Sequence, residues 1–356
     1  MDLSNLEKVL EGEPKYRLNQ AREAVYKNFI SDWSEATFFS VELREKLNKE
    51  CPLEIKADVL VSKKEDSVKA RITLEDGMMI ETVLMRHKDP LRPETSGRNT
   101  VCVSSQVGCP LGCLFCATGK MGFKRNLTSE EILEQVIFFS RYLKKITLSE
   151  VEGFAISVTN VTYMGMGEPF LNYDNVLDSI RILNDYKYFN IGVRSISVST
   201  AGIIEGIKKL SDDPLHINLA ISLHAPNNKL RGELMPINKK YPLAEVLKAV
   251  DQYIEKTKRK VMFEYVLIKD VNDSEEHARE LAKIMNKKLY FVNLILYNAI
   301  PPQRDPALAG QAFEPSTTER VKKFRDILEE LKIRYTQRYR FGDDINAACG
   351  QFVTSK

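Results

Sequence analysis

Three thiols stand close together in the stretch GCPLGCLFCATGKMGF, where Cys109, Cys113 and Cys116 fall within eight positions. A closed structural zinc site takes four ligands, and Cys102 lies too far upstream to complete a familiar finger spacing. Three thiolates with one coordination place left over suit an iron-sulfur cluster that keeps one iron open to a small ligand. Further groups of note recur along the chain: Gly165, Gly167 and Glu168 in GMGEP, Ser199 and Thr200, Ser222 and His224, Asn298, and a last cysteine, Cys349, in NAACGQ. Taken singly, GMGEP reads equally as a tight turn and His224 as a structural histidine.

The composition bounds what these residues can serve. A chain of 356 residues with 43% hydrophobic and 28% charged content buries a large core, which excludes disorder. The opening MDLSNLEKVLEGEPKYR lacks an apolar h-region, and no apolar run approaches a bilayer span, so a cytoplasmic protein without membrane contact is expected. Six cysteines without a secretory signal argue for reduced thiols kept for metal or chemistry. A net charge of +3 excludes binding to nucleic acid by bulk charge, leaving local patches. GKMGFKRN supplies Lys120, Lys124 and Arg125; LKIRYTQRYR supplies Lys332, Arg334, Arg338 and Arg340, interleaved with Tyr335 and Tyr339. Either patch reads as a nucleic-acid contact or as a solvated face.

The elements that must position these groups fall into two regions and a tail. Residues 1–92 read as a small α+β accessory domain. YRLNQAREAVYKNFI places Ala21, Val25, Phe29 and Ile30 on one helix face, ADVLVS, KARITL and GMMIETVLMRH read as an antiparallel sheet, and DPLRPETSGRN marks the junction. Residues 93–340 alternate strand and helix patterns. The strands TVCVSS, NVTYMG, SISVST, INLAIS, VMFEYVL and FVNLIL give six β/α units, and Thr128 with Glu131 and Ser316 with Glu319 read as capping boxes. Six units predict an α/β fold, a partial TIM-like (β/α)6 barrel with one open side. The polar groups then follow strand ends and gather on one rim. Residues 341–356 form a C-terminal tail carrying Cys349.

The three-cysteine pattern followed by GMGEP resembles the radical SAM superfamily. CVSSQVGC, FCATG, YMGMGEPFLN, ISLHAPNN, LMPINKKYP and GDDINAACGQ together resemble the RlmN and Cfr type of RNA methyltransferase, over roughly residues 80 to 351. The resemblance implies a 4Fe-4S cluster on Cys109, Cys113 and Cys116, with S-adenosylmethionine on its open iron. Gly167, Glu168, Ser199, Ser222, Leu223, His224 and Asn298 would shape the cofactor pocket. It further implies two cofactors per turnover, with the cluster supplying the electron that cleaves one of them to a radical.

Carbon 2 of adenine offers no lone pair to attack a methyl group, so simple displacement fails there and a carbon radical can add instead. By the same resemblance Cys349 is methylated first, Glu81 accepts the proton lost from the base, and Cys102 releases product through a transient disulfide with Cys349. From spacing alone Cys102 is as readily a buried strand cysteine and Glu81 an ordinary strand residue; Cys51 matches no role. The implied substrates are 23S rRNA and tRNA, the implied electron donor is a flavodoxin-type protein, and a monomer is expected. Other readings are a Cfr-like enzyme acting at carbon 8 and conferring antibiotic resistance, against which Pro169 speaks, and a non-enzymatic iron-sulfur electron carrier or RNA-binding module. Phe341, Asn346 and Ala299 depart from the residues common in the family and bear on substrate fit.

Overall fold

The computed structural model describes residues 1–89, 92–150, 157–299 and 313–352. The strands are β1 (Ala57–Val61), β2 (Ser67–Thr73), β3 (Met79–Asp89), β4 (Arg92–Cys102), β5 (Gln106–Gly108) and β6 (Phe123–Asn126). They are followed by β7 (Asn160–Tyr163), β8 (Ile196–Thr200), β9 (Asn218–Ser222), β10 (Val261–Leu267), β11 (Tyr290–Leu296) and β12 (Tyr335–Gln337). One ten-stranded sheet runs in the order β1-β2-β3-β4-β7-β8-β9-β10-β11-β12, while β5 and β6 pair as a separate hairpin. Neighbours from β1 to β4 are antiparallel and those from β4 to β12 parallel. The order is linear, so the barrel is an open arc, as six units predicted.

The six expected strands are β4 and β7 to β11. A seventh parallel strand, β12, was missed because its three residues lie inside the basic run; Tyr335 pairs with Val292 of β11. DPLRPETSGRN is also more regular than its proline and glycine suggest. β3 and β4 pair from Val83 opposite Cys102 to Asp89 opposite Arg92, with register shifts after His87 that absorb the irregular residues. The accessory sheet therefore passes into the barrel without a break at residue 92; residues 90 and 91 lie outside the described residues.

Apolar periodicity fixes the helices. Ser129–Glu150 turns Ile132, Leu133, Val136, Ile137 and Leu143 into the core, and its capping box forms as expected, Thr128 and Glu131 each accepting the other's backbone N–H. The helix from Tyr16 ends at Tyr26, short of Phe29. Phe29 takes a positive φ of 53° and rests on the Phe189 ring at 5.6 Å. Cys51 is fully buried beside Trp33, whose indole donates to the Cys51 carbonyl at 2.7 Å, which makes it a core residue. The accessory helices dock on the barrel through buried polar contacts: Arg141 donates to Leu53 O at 2.7 Å and to Ile30 O, and the Met1 amine meets Glu134 at 2.6 Å.

The second expected capping box does not form; a simple N-cap one residue on replaces it. Thr317, not Ser316, accepts the Arg320 N–H at the start of Thr318–Glu330, because Ser316 is buried with its hydroxyl unpartnered among the described residues. Thr317→Ala should therefore lower the urea unfolding free energy by about 1 kcal/mol. Ser316→Ala should leave it unchanged or raise it; equal losses for both would return the cap to Ser316.

Candidate active site

The rim is built on a clamp between two segments. Gly165 donates its N–H to Val103 O at 3.0 Å, Ser105 N donates to Met166 O at 2.8 Å, and Glu168 N donates to the Gln106 side chain at 2.9 Å. A Cβ on Gly165 would sit 2.7 Å from Val103 O, and one on Gly167, whose φ is +100°, would sit 2.5 Å from Gln106 Cβ. The glycines of GMGEP are thus required by the approach of the chain to itself, in keeping with the tight-turn reading of the sequence.

The clamp aims Glu168 into a cavity. Its Oε1 accepts the Phe170 N–H at 3.0 Å and its Oε2 the Ala201 N–H at 2.7 Å. Burial pushes its pKa up to about 7, against the opposing pull of the bonds from Ala201, Thr200 and Phe170. Cys109, Cys113, Cys116, Gly167, Ser199, Ser222, His224 and Asn298 line the same cavity with Glu168. Leu223 does not: its side chain is fully buried in the core, and only its backbone takes part, donating to Glu264 O. His224 adopts a positive φ of 56°, which brings Nδ1 under the Val266 N–H at 3.1 Å. Burial, with Arg231 behind it, lowers the imidazole pKa to about 3, so the ring is neutral with its proton on Nε2. Arg231, which sequence reasoning missed, ties the strand ends together by donating to Ala201 O at 2.6 Å and Ser222 O at 3.3 Å.

The residues present fit a cluster and its small-molecule ligand. Burial raises the pKa of all three cysteines, that of Cys109 to about 12, so as bare thiolates they are costly and metal charge is what would hold them ionised. Among the described residues no three such groups gather to hold a single ion; in a cluster each thiolate sits on its own iron. Asn298 Oδ1 and Glu264 Oε1 are buried without a partner among the described residues, two acceptors waiting for donors.

The tail closes the cavity. Cys349 lines it, and its carbonyl accepts from Asn298 Nδ2 at 3.4 Å. Gln351 staples the turn by accepting from Ala348 N and donating to Ala299 O at 2.8 Å, while Ala117 N donates to Gly350 O at 2.8 Å. Cys349 also lines a second, adjoining cavity with Cys102. Burial and the facing Cys349 push the Cys102 thiol up to about 12. All six cysteines are free, so the disulfide expected between Cys102 and Cys349 is not formed here. Glu81 lies on β3, next to the first barrel strand, and lines neither cavity; it is buried with Lys69 Nζ at 2.7 Å, and the same ammonium donates to Asn346 O in the tail at 3.0 Å. Residues 353–356 of the tail lie outside the described residues.

The basic residues of the two patches divide between the surface and the cavities. Arg338 turns inward to line both cavities and donates to Met164 Sδ at 3.3 Å, its charge strengthened by Cys349, Glu264 and Cys102. Arg340 donates to Tyr297 O at 2.6 Å, and Arg125 is held between Asp76 at 2.6 Å and Glu131 at 2.8 Å. Lys124 and Arg334 are exposed, and Lys120 is partly so. A strand period of two through RYTQR puts Arg334 and Arg338 on the same face and Tyr339 on the other, so no local pattern separates the inward arginine from the exposed one.

Residues 103–282 match the family described as the radical SAM superfamily. The chain is 44% identical over 352 residues to a Dictyoglomus thermophilum protein named a probable dual-specificity RNA methyltransferase RlmN, covering 98% of this chain and 94% of that one. A protein of the same name from Enterococcus faecalis is 41% identical over 343 residues, 96% and 90% of the two chains. The crystal structure of a radical SAM methyltransferase from Sphaerobacter thermophilus superposes with a TM-score of 0.87 at 39% identity, covering 99% of this chain and 97% of that one.

Two outcomes are expected. Replacing Cys109, Cys113 and Cys116 together by alanine should abolish iron retention after anaerobic reconstitution, against about four iron per chain in the wild type; full iron in the variant would sink the assignment. His224 gives a pH signature. Its pKa is about 3 folded and about 6.5 unfolded. The stability it contributes is thus present above pH 6.5 and lost as pH falls towards 3. His224→Asn, which tolerates the positive φ, should flatten that part of the stability profile of the metal-free protein.

Proposed function

The chain belongs to the radical SAM superfamily and, within it, to the RlmN family of RNA methyltransferases; on that premise we propose that it methylates carbon 2 of adenosine in 23S rRNA and in tRNA. The observation that carries this reading is the pair of thiols on one small cavity: Cys102 and Cys349 share walls with Arg338 and Asn298, and Cys349 and both of those residues also line the cavity of the three cysteines. A plain electron carrier has no use for such a pair.

Cys109, Cys113 and Cys116 would hold the 4Fe-4S cluster, and Glu168, Gly167, Ser199, Ser222, His224 and Asn298 would hold S-adenosylmethionine. When bound, the two supply an electron and the carbon to be transferred. Within the chain, Cys349 is the carbon carrier. The neutral His224 offers its Nε2–H as a donor, and Glu168 offers an acceptor of a kind suited to an ammonium. Glu81 takes the proton released from the base, its carboxylate oriented by Lys69. Cys102 attacks the Cys349 sulfur, forming a disulfide as the S–C bond to the product breaks; the freed carbon keeps the bonding pair and takes a proton to become the methyl group, and a thiol reductant reopens the disulfide. The place of Cys102 on one small cavity with Cys349 supports this role; burial and Cys349 disfavour its thiolate, and the Arg338 guanidinium opposes them only in part. Pro169, buried behind Glu168 at the start of a short 3-10 turn, favours carbon 2 over carbon 8 on the resemblance drawn from the sequence.

The reading extends to a flavodoxin-type electron donor and to a cytoplasmic monomer. No helix among the described residues is long and apolar enough to cross a membrane.

Nucleoside mass spectrometry of rRNA and tRNA, with isomeric methyladenosines resolved, should show 2-methyladenosine in cells with the protein and none without it; 8-methyladenosine would decide for the other carbon. In vitro, Cys349→Ala should stop methylation while iron is retained. Cys102→Ala should accumulate protein covalently joined to RNA, and this adduct should vanish in the double variant. Normal turnover by Cys102→Ala without an adduct would remove its role.

A further inference from the structure

We propose that Tyr339, Phe341 and His87 form a stacking platform for an unpaired RNA base next to the target adenosine, with Arg98 taking a phosphate beside it. The proposal rests on the RNA methyltransferase reading and adds to it a binding site on this chain. Three rings are packed edge to face in a row: Phe341 lies 4.8 Å from Tyr339 and 4.6 Å from His87, each at 71°. Burying aromatic surface is the ordinary use of such rings, yet Tyr339 is 58% exposed at the end of the row. Phe341 and Tyr339 also line the cavity that contains Cys102 and Cys349. The exposed end of the row therefore stands at the wall of the cavity that holds the two thiols.

The surrounding charge identifies the occupant. Arg98 is exposed and holds the nitrogen edge of His87, with Nη2 3.2 Å from each ring nitrogen. Burial and the neighbouring Arg98 and Arg338 lower the His87 pKa to about 4, so the ring presents a neutral π surface at neutral pH. Arg340 completes a cationic rim, fixed by Tyr297 O and by Asp343 at 3.5 Å. A neutral aromatic ledge edged by guanidiniums suits a splayed base with its phosphate, the arrangement by which single-stranded RNA is gripped. The base next to the target stacks on the exposed Tyr339 face. A peptide side chain would use the rings but not the cations.

The platform is tested with a short RNA stem-loop carrying the target adenosine and 2-aminopurine as the adjacent base. On wild-type, iron-loaded protein the fluorescence of the probe should be quenched. Tyr339→Leu, which keeps apolar area but removes the ring, should weaken binding about tenfold and relieve the quenching, leaving the slope of affinity against salt unchanged. Tyr339→Trp should restore both. Arg98→Gln should instead flatten the salt slope. Iron content identical to wild type verifies that each variant folds. Wild-type affinity and quenching in Tyr339→Leu would overturn the platform. Methylation of the same RNA by the wild type is followed in parallel, so failure of the enzymatic reading shows there and loss of the platform shows only in the binding data.

Discussion

The site depends on how closely residues 103–106 approach residues 165–168. Ser104 is tied on every side: its hydroxyl donates to Glu81 O at 2.6 Å and accepts Met166 N at 2.9 Å, while its backbone exchanges two bonds with the Gln135 amide at 2.8 and 2.9 Å. One buried residue thereby fixes β3, the glycine turn and the first barrel helix relative to one another. The three cysteines follow this knot in the chain and Glu168 follows the turn, so the geometry between thiols and carboxylate is set by backbone contacts that no larger residue would permit. Side chains alone could not hold it so tightly.

Electrostatics supply the second constraint. The rim buries three thiols, a carboxylate and an imidazole, and burial moves each towards its uncharged form. Left so, the pocket is a costly assembly of polar groups. Partners of opposite character would complete it: metal charge on the thiols and a donor for the orphaned Asn298 and Glu264 oxygens, as Arg338 already faces Cys102 and Cys349. A site of this kind is stabilised by what it binds.

The chain's two ends meet across this pocket. Lys69 of β2 reaches both Glu81 and the tail carbonyl of Asn346, and Lys63 N donates to Asp344 at 2.8 Å. The accessory sheet is therefore the seat on which the tail rests, and the tail brings Cys349 to the cavity. Because β3 continues into β4 as one sheet, the seat is held rigidly relative to the barrel strands. The tail is also bound from the other side, through Thr118 to Phe352 O at 2.7 Å, two residues beyond Cys116.

Much of this was legible in order of residue type and spacing. The three cysteines, the glycine turn and the alternation of strands and helices are local patterns, and local patterns survive without knowledge of the fold; so the open α/β barrel and the strand-end rim were readable from the sequence. What remained hidden depends on residues far apart in the chain. That Arg338 lines both cavities while Arg334 is exposed follows from their places at opposite ends of β12, of which the C-terminal one lies at the rim. That Ser316 yields its cap to Thr317 follows from burial. That Lys69, an ordinary strand lysine in sequence, sits 2% exposed between Glu81 and Asn346 follows from contacts spanning 277 residues. Spacing determined which chemistry the chain can carry; only tertiary packing, which sets burial and hence charge, decided which side chains face it.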